Sequence, residues 1–101
     1  MGAFTLKNGV AVLQDARRFG LVQHMLKHGR IAVSDVAKVL GVGGYSAAHR
    51  HVEMLTRANV VGIEQELRPD LNRTVKFLVL TDDAPAAFAA QKRAFKELAA
   101  A

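Results

Sequence analysis

The sequence predicts a mainly α-helical domain with one small β-hairpin, an α+β fold. Three observations carry that prediction. Residues 34–61, SDVAKVLGVGGYSAAHRHVEMLTRANVV, read as a short helix, a glycine turn and a longer helix. Val60, Val61 and Ile63 begin a strand that continues to Leu67, and residues 74–80, TVKFLVL, form a second, β-branched and apolar run beyond a polar turn, the pattern of a hairpin. Residues 81–101 are alanine-rich, with Phe88, Phe95 and Leu98 at spacings of seven and three, as on one stripe of a helix.

The central segment is justified residue by residue. Ser34 is a good N-cap, and Asp35 suits the positive end of a helix dipole. Val36, Ala37, Val39 and Leu40 supply an apolar side. Gly41 ends that helix, because a left-handed residue there costs glycine little. After Gly43 and Gly44 a second helix begins near Tyr45. Ala48, Val52 and Leu55 recur at four and three on its inner face, flanked by Ala47, His51, Met54 and Ala58. Tyr45, Ser46, His49, Arg50 and Glu53 point outward. One face locked in a core and the other free to enter a DNA groove is what a helix-turn-helix requires.

Residues 49–61, HRHVEMLTRANVV, resemble the end of the recognition helix in winged-helix repressors of the ArsR, MarR and PadR type. The family run of Arg, His, Leu, Leu, Ala, Gly, Leu, Val is matched here by Arg50, His51, Val52, Leu55, Ala58, Asn59, Val60 and Val61. Asn59 stands where the family has a helix-ending glycine, and Asn also accepts the left-handed conformation. The turn holding Gly43 and Gly44 is one residue longer than usual. The resemblance covers roughly residues 19–83. It implies a winged helix-turn-helix whose second helix reads DNA and whose hairpin is the wing.

Composition bounds the alternatives. The 101 residues are half hydrophobic and only 6% aromatic, so one domain with an aliphatic core is expected. There is no cysteine, which removes disulfides, thiolate catalysis and cysteine metal sites and fits a reducing, cytoplasmic setting. No apolar run reaches the roughly 18 residues of a spanning helix, and the N-terminus has no apolar block of a signal peptide. The 14 Lys and Arg against 9 Asp and Glu give a net charge of +5, which favours a polyanionic partner.

Taken in order, residues 1–9 form an arm in which Lys7, Asn8 and Gly9 suggest a turn, with Phe4 and Leu6 free to pack on a neighbour. Residues 10–80 form the winged helix-turn-helix core. Its first long helix is expected over 10–28, with Leu13, Phe19, Val22, Met25 and Leu26 as its stripe. Gly20 is the expected point of any break, and Gly29 the stop. Residues 30–33 read as a link or very short strand. His24 and His28 are four apart, a spacing able to place two imidazoles on one metal. No further ligand is evident, so no metal is expected. Arg68 and Arg73 stand at the shoulders of the hairpin turn around Pro69, where a wing touches the DNA backbone or minor groove. Glu64, Glu66 and Asp70 oppose that contact, because phosphates repel them.

In the last helix Thr81 or Asp83 is the expected cap, and Pro85 fits only the first turn. Phe88, Phe95 and Leu98 form a narrow seam suited to a partner helix. A homodimer through this helix is expected, and folding back on its own domain is the alternative.

No P-loop, glycine fingerprint, nucleophile elbow or metal-protease helix is present. GVGG at 41–44 follows a helix rather than a strand and lacks the Lys-Ser/Thr of a phosphate loop. No enzyme, cofactor or small-molecule effector is therefore expected. The expected function is sequence-specific binding of double-stranded DNA as a homodimeric transcriptional regulator. Tyr45, Ser46, His49, Arg50, Arg57, Arg68, Arg73 and Lys76 form the DNA face, with Arg17, Arg18 and Lys38 adding to its field. The alternatives are a DNA-organising or plasmid or chromosome maintenance protein with little sequence preference, and a winged helix used for protein contacts.

Overall fold

The computed structural model describes residues 4–100. Residues 1–3 of the expected arm lie outside the described residues. Five helices and three strands follow in order: α1 (Leu6–Val12), α2 (Ala16–His28), β1 (Ile31–Ala32), α3 (Val36–Leu40), α4 (Tyr45–Arg57), β2 (Val61–Arg68), β3 (Arg73–Leu80) and α5 (Ala84–Ala100). No helix among them is long and apolar enough to cross a membrane.

The N-terminal third departs from expectation. Lys7, Asn8 and Gly9 are not a turn but belong to α1, which Thr5 caps by accepting from the Asn8 N–H at 3.2 Å. The single helix over 10–28 is two helices, and the break falls at residues 13–15 rather than at Gly20. Asp15 makes the break. Its carboxylate accepts from the N–H groups of Arg17 at 2.8 Å and Arg18 at 3.1 Å, which starts α2 afresh. The corner turns Leu13 fully into the core. Burial by itself would raise the Asp15 carboxyl, but the N–H bonds and the Arg18 guanidinium outweigh it and hold the pKa below the ordinary carboxylate value. The cap therefore stabilises the fold above that ordinary value and is lost as pH falls through the lowered one. Asp15→Ala should cost about 1 kcal/mol of unfolding free energy near neutrality, measured by urea denaturation, with the difference from wild type shrinking in acid.

Gly9 is buried because α1 crosses α5 at that point. A Cβ on it would lie 2.8 Å from the Phe4 ring and 2.9 Å from Ala87 Cβ. Only glycine lets the two backbones approach so closely.

Ser34 does not cap α3. The chain enters that helix through a 3-10 turn over Val33–Asp35, and neither end of the turn has a side-chain cap bond. Asp35 already has helical dihedrals, so the extended backbone that an N-cap needs is missing. Gly41 does end α3 in the left-handed region, with φ 73°. The N–H groups of Gly41 and Val42 both reach the Ala37 carbonyl, at 3.0 and 3.1 Å, closing the helix end as a glycine cap does. Asn59 ends α4 in the same region, at φ 58°.

The sheet order is β1-β3-β2, antiparallel throughout. The hairpin register runs from Val61↔Leu80 to Arg68↔Arg73. Its turn is a 3-10 turn over Pro69–Leu71 closed by Asn72 at φ 51°. β1 adds one short rung, Ile31↔Leu78 and Ala32↔Phe77. At the other end of the hairpin, Thr81 Oγ1 donates to the Asn59 carbonyl at 2.7 Å and to that of Val60 at 3.2 Å. The Thr81 hydroxyl thus clips the end of α4 to the end of β3, and the Asp83 carboxylate accepts from the Asn59 side-chain amide at 3.1 Å.

The core is aliphatic. Leu13, Leu21, Val22, Val36, Leu55, Val60, Val61 and Leu78 are its largest fully buried side chains. α5 folds back on this body. Phe88 stacks on Phe19 of α2 with centroids 4.5 Å apart, and Phe95 meets the same ring edge-on at 5.0 Å. Phe88 and Phe95 thus take the alternative of folding back on their own domain, where Phe19 receives both rings. Leu98, one turn further, is 73% exposed.

Candidate nucleic-acid interface

Helix α4 is held by one face and free on the other. Leu55 and Ala48 are buried, and Val52 packs against the same core. This follows from their spacing, since positions four and three apart share one side of a helix. Tyr45, Ser46, His49 and Arg50 are exposed on the opposite side. The Tyr45 and His49 rings stack with centroids 5.9 Å apart, so the first turns of α4 present an ordered aromatic edge beside Arg50. Arg50 makes no ion pair among the described residues.

The last turns of α4 are partly neutralised. Glu53 takes the Arg57 guanidinium at 2.5 Å and lies 3.7 Å from His49 Nε2. Arg57 thus contributes less net field than its sequence position suggests. Such exposed pairs are worth little to stability, but they offset positive charge on the outer face of α4.

The pleat sorts the wing residues onto two faces, because opposite residues of an antiparallel pair share a side. Ile63, Gln65, Leu67, Lys76 and Thr74 lie on one face, while Glu64, Glu66, Arg68 and Arg73 lie on the other. Lys76 closes a cleft of about 330 Å³ against Tyr45, His49, Arg57 and Ile63, so it stands on the same side as the outer face of α4. Arg73 and Lys76 also line a smaller concavity with Ser34 and Thr74.

The two shoulder arginines are not equivalent. Arg68 lies 3.8 Å from Glu66 and 3.5 Å from Asp70, whereas Arg73 is exposed and has no ion pair among the described residues. Glu66 is also taken by Arg30 at 2.8 Å, and the Arg30 guanidinium lies 3.8 Å above the Phe77 ring, a cation–π contact. Glu64 and Glu66 thus lie on the wing face away from Lys76, together with Arg68 and Arg73, and Arg30 joins them there through Glu66 and Phe77. No sequence signal marks Arg30, because Glu66 is 36 residues away.

A second group was also illegible. Arg18 reaches across from α2 to His51 on α4 and bonds its Nδ1 at 2.9 Å. Only its spacing of three from the capping Asp15 is visible in the chain. The two histidines of α2, His24 and His28, lie with ring centroids 4.6 Å apart. Among the described residues no group of three His, Cys, Asp or Glu side chains is placed to hold a metal.

A helix-turn-helix with a three-stranded sheet and a β2–β3 wing defines the winged helix-turn-helix class, and its fold resembles that of known transcriptional regulators. A transcriptional regulator homologue from Pyrococcus horikoshii is similar at 20% identity and a TM-score of 0.68, with 86% of each chain covered. The YusO protein of Bacillus subtilis is similar at 20% identity and a TM-score of 0.67, over 93% of this chain and 67% of that one. A transcriptional regulator from Thermotoga maritima is similar at 21% identity and a TM-score of 0.58, over 91% of this chain and 67% of that one. No protein-family model and no curated protein matches the sequence.

Proposed function

We propose that this protein is a non-catalytic transcriptional regulator of the ArsR, MarR and PadR type, binding double-stranded DNA as a homodimer. In this reading α4 enters the major groove and the wing follows the backbone or minor groove. One observation carries it: α4 is locked by Ala48, Val52 and Leu55 while Tyr45, Ser46, His49 and Arg50 stand free beside Lys76 of the wing. Arg50 is the candidate for base readout, since guanidinium pairs with guanine O6 and N7. Arg73 and Lys76 are the candidate phosphate contacts. Arg68 is engaged by Glu66 and Asp70 and has the smaller role. Leu98, with the exposed side of α5, is the candidate joint between two copies, and two-fold pairing would set half-sites roughly 34 Å apart.

The test is a duplex titration at two salt concentrations, with a site selected from a random pool and a random duplex of equal length. Binding should weaken steeply with salt, because counterions are released from phosphate. Arg50→Ala should cost about 1–3 kcal/mol on the selected site alone. Arg73→Ala with Lys76→Ala should weaken both duplexes and make the salt slope shallower by roughly one unit per lost contact. Equal affinity of wild type for the selected and random duplexes would favour a DNA-organising role. Absence of binding to either would favour a protein-contact role.

A further inference from the structure

Helix α4 is held against the body by apolar contacts, which are non-directional. They fix its depth better than its rotation about its own axis. Thr81 and Asp83 hold Asn59 just past its end, and among the described residues one directional side-chain contact reaches its middle from the body. Arg18, whose side chain is only 11% exposed, donates from Nε to the Val12 carbonyl at 2.7 Å and from Nη1 to His51 Nδ1 at 2.9 Å. Val12 is the last residue of α1, so the guanidinium uses a carbonyl that no helical N–H takes up. A single planar group therefore ties the end of α1, the first turn of α2 and the middle of α4. His51 lies next to Arg50 in sequence, so a change in the roll of α4 moves the outer face with it.

We propose that Arg18 is a positioning residue for DNA recognition, its guanidinium setting through His51 the angle at which α4 presents Tyr45, His49 and Arg50. The proposal rests on the DNA-binding reading above. Its chemistry makes a specific demand. Arg has only donors, so His51 Nδ1 must be the unprotonated nitrogen and the ring N–H must sit at Nε2. A protonated ring would turn a donor and a positive charge toward the guanidinium. The charged groups facing the ring are Asp15, Arg17 and Arg18 from α2 and Arg50 from α4 itself. Burial lowers the pKa of His51, Asp15 raises it, and the three arginines lower it, for a net lowering. The neutral, bonded form therefore holds at and above the ordinary histidine range, and the strut is lost as pH falls through the lowered value.

The experiment compares Arg18→Met, His51→Gln and His51→Leu with wild type on the selected and random duplexes, each checked by circular dichroism and thermal melting. His49→Gln is measured separately as a control for the other α4 histidine near the proposed contact, with its own loss of affinity expected because His49 belongs to the outer face. Arg18→Met and His51→Leu should weaken the selected duplex roughly ten-fold, the scale of one charge-assisted hydrogen bond, and change the random duplex far less. His51→Gln keeps an acceptor oxygen. It should bind the selected site nearly as wild type and lose the wild-type decline in selectivity as pH falls below the ordinary histidine range. If Arg18→Met does not fold, the contrast of His51→Gln with His51→Leu carries the same comparison. Equal weakening of both duplexes would make Arg18 a phosphate contact and overturn the proposal, as would no change on either. Nitrogen-15 resonances of the His51 ring, recorded without DNA, separate the two readings. An Nδ1 signal that is unprotonated and shifts on Arg18→Met supports the strut; an unshifted one overturns it. If wild type binds no duplex, the DNA-positioning role falls with the DNA reading, and the Nδ1 signal shows whether the contact itself exists.

Discussion

Leu55→Ala is expected to lower the unfolding free energy by about 2–5 kcal/mol, the range for truncating a fully buried leucine. Leu55 is 0% exposed on the inner face of α4. It belongs to the core cluster that also holds Leu21, Val36, Leu40, Val60 and Leu78. Its carbonyl also accepts the Val60 N–H at 3.0 Å, where the chain turns into β2. The neighbouring backbone is thus pinned and collapses poorly around a cavity, which places the cost toward the top of that range. Urea denaturation measures it, with Leu98→Ala as the control. Leu98 is 73% exposed, and its truncation should change monomer stability by no more than about 0.5 kcal/mol. A Leu55 variant as stable as wild type would mean that α4 is not seated through this face.

The second large effect concerns α5. Phe88→Asp with Phe95→Asp is expected to release α5 from its own body rather than simply to separate a pair of chains. Both rings pack on Phe19, one stacked and one edge-on. Two carboxylates placed there have no basic partner among the aromatic contacts and would lose the ring burial besides. A loss of at least about 3 kcal/mol follows from the truncation terms and the cost of burying unpaired charge. Denaturation and the helical signal in circular dichroism both report it. The clean probe of assembly is Leu98→Asp, because Leu98 is exposed in the chain itself. Light scattering should give wild type a mass near twice 10.9 kDa, and Leu98→Asp a mass near that of one chain with unchanged helicity. Wild type at one chain mass would refute the dimer.

Much of the fold is written in short-range chemistry. The turn at Gly41, the start of α4 at Tyr45, its inner face of Ala48, Val52 and Leu55, and the left-handed Asn59 were all legible. So were the hairpin and the brief strand before α3. Each depends on dihedral preferences or side-chain spacing within a few residues. The break before α2 was also local, since Asp15 caps it, but the apolar spacing of Leu13, Phe19 and Val22 continues in helical period across it and hid the signal. Ser34 misled in the opposite way, as a good capping residue in a segment whose backbone is already helical.

What the sequence by itself determined is therefore the order and kind of the elements and which face of α4 is apolar, because these follow from each residue's own conformational and hydrophobic preferences. What only the tertiary structure decided is which charges remain free and where the aromatic rings go. Arg68 and Arg73 look alike in the chain, yet Glu66 and Asp70 engage one and leave the other open. Arg30 finds Glu66 and Phe77, Arg18 finds His51, and Phe19 finds Phe88 and Phe95 only after folding. Coulombic and ring contacts act over a few ångströms of space, and separation along the chain carries no record of that distance.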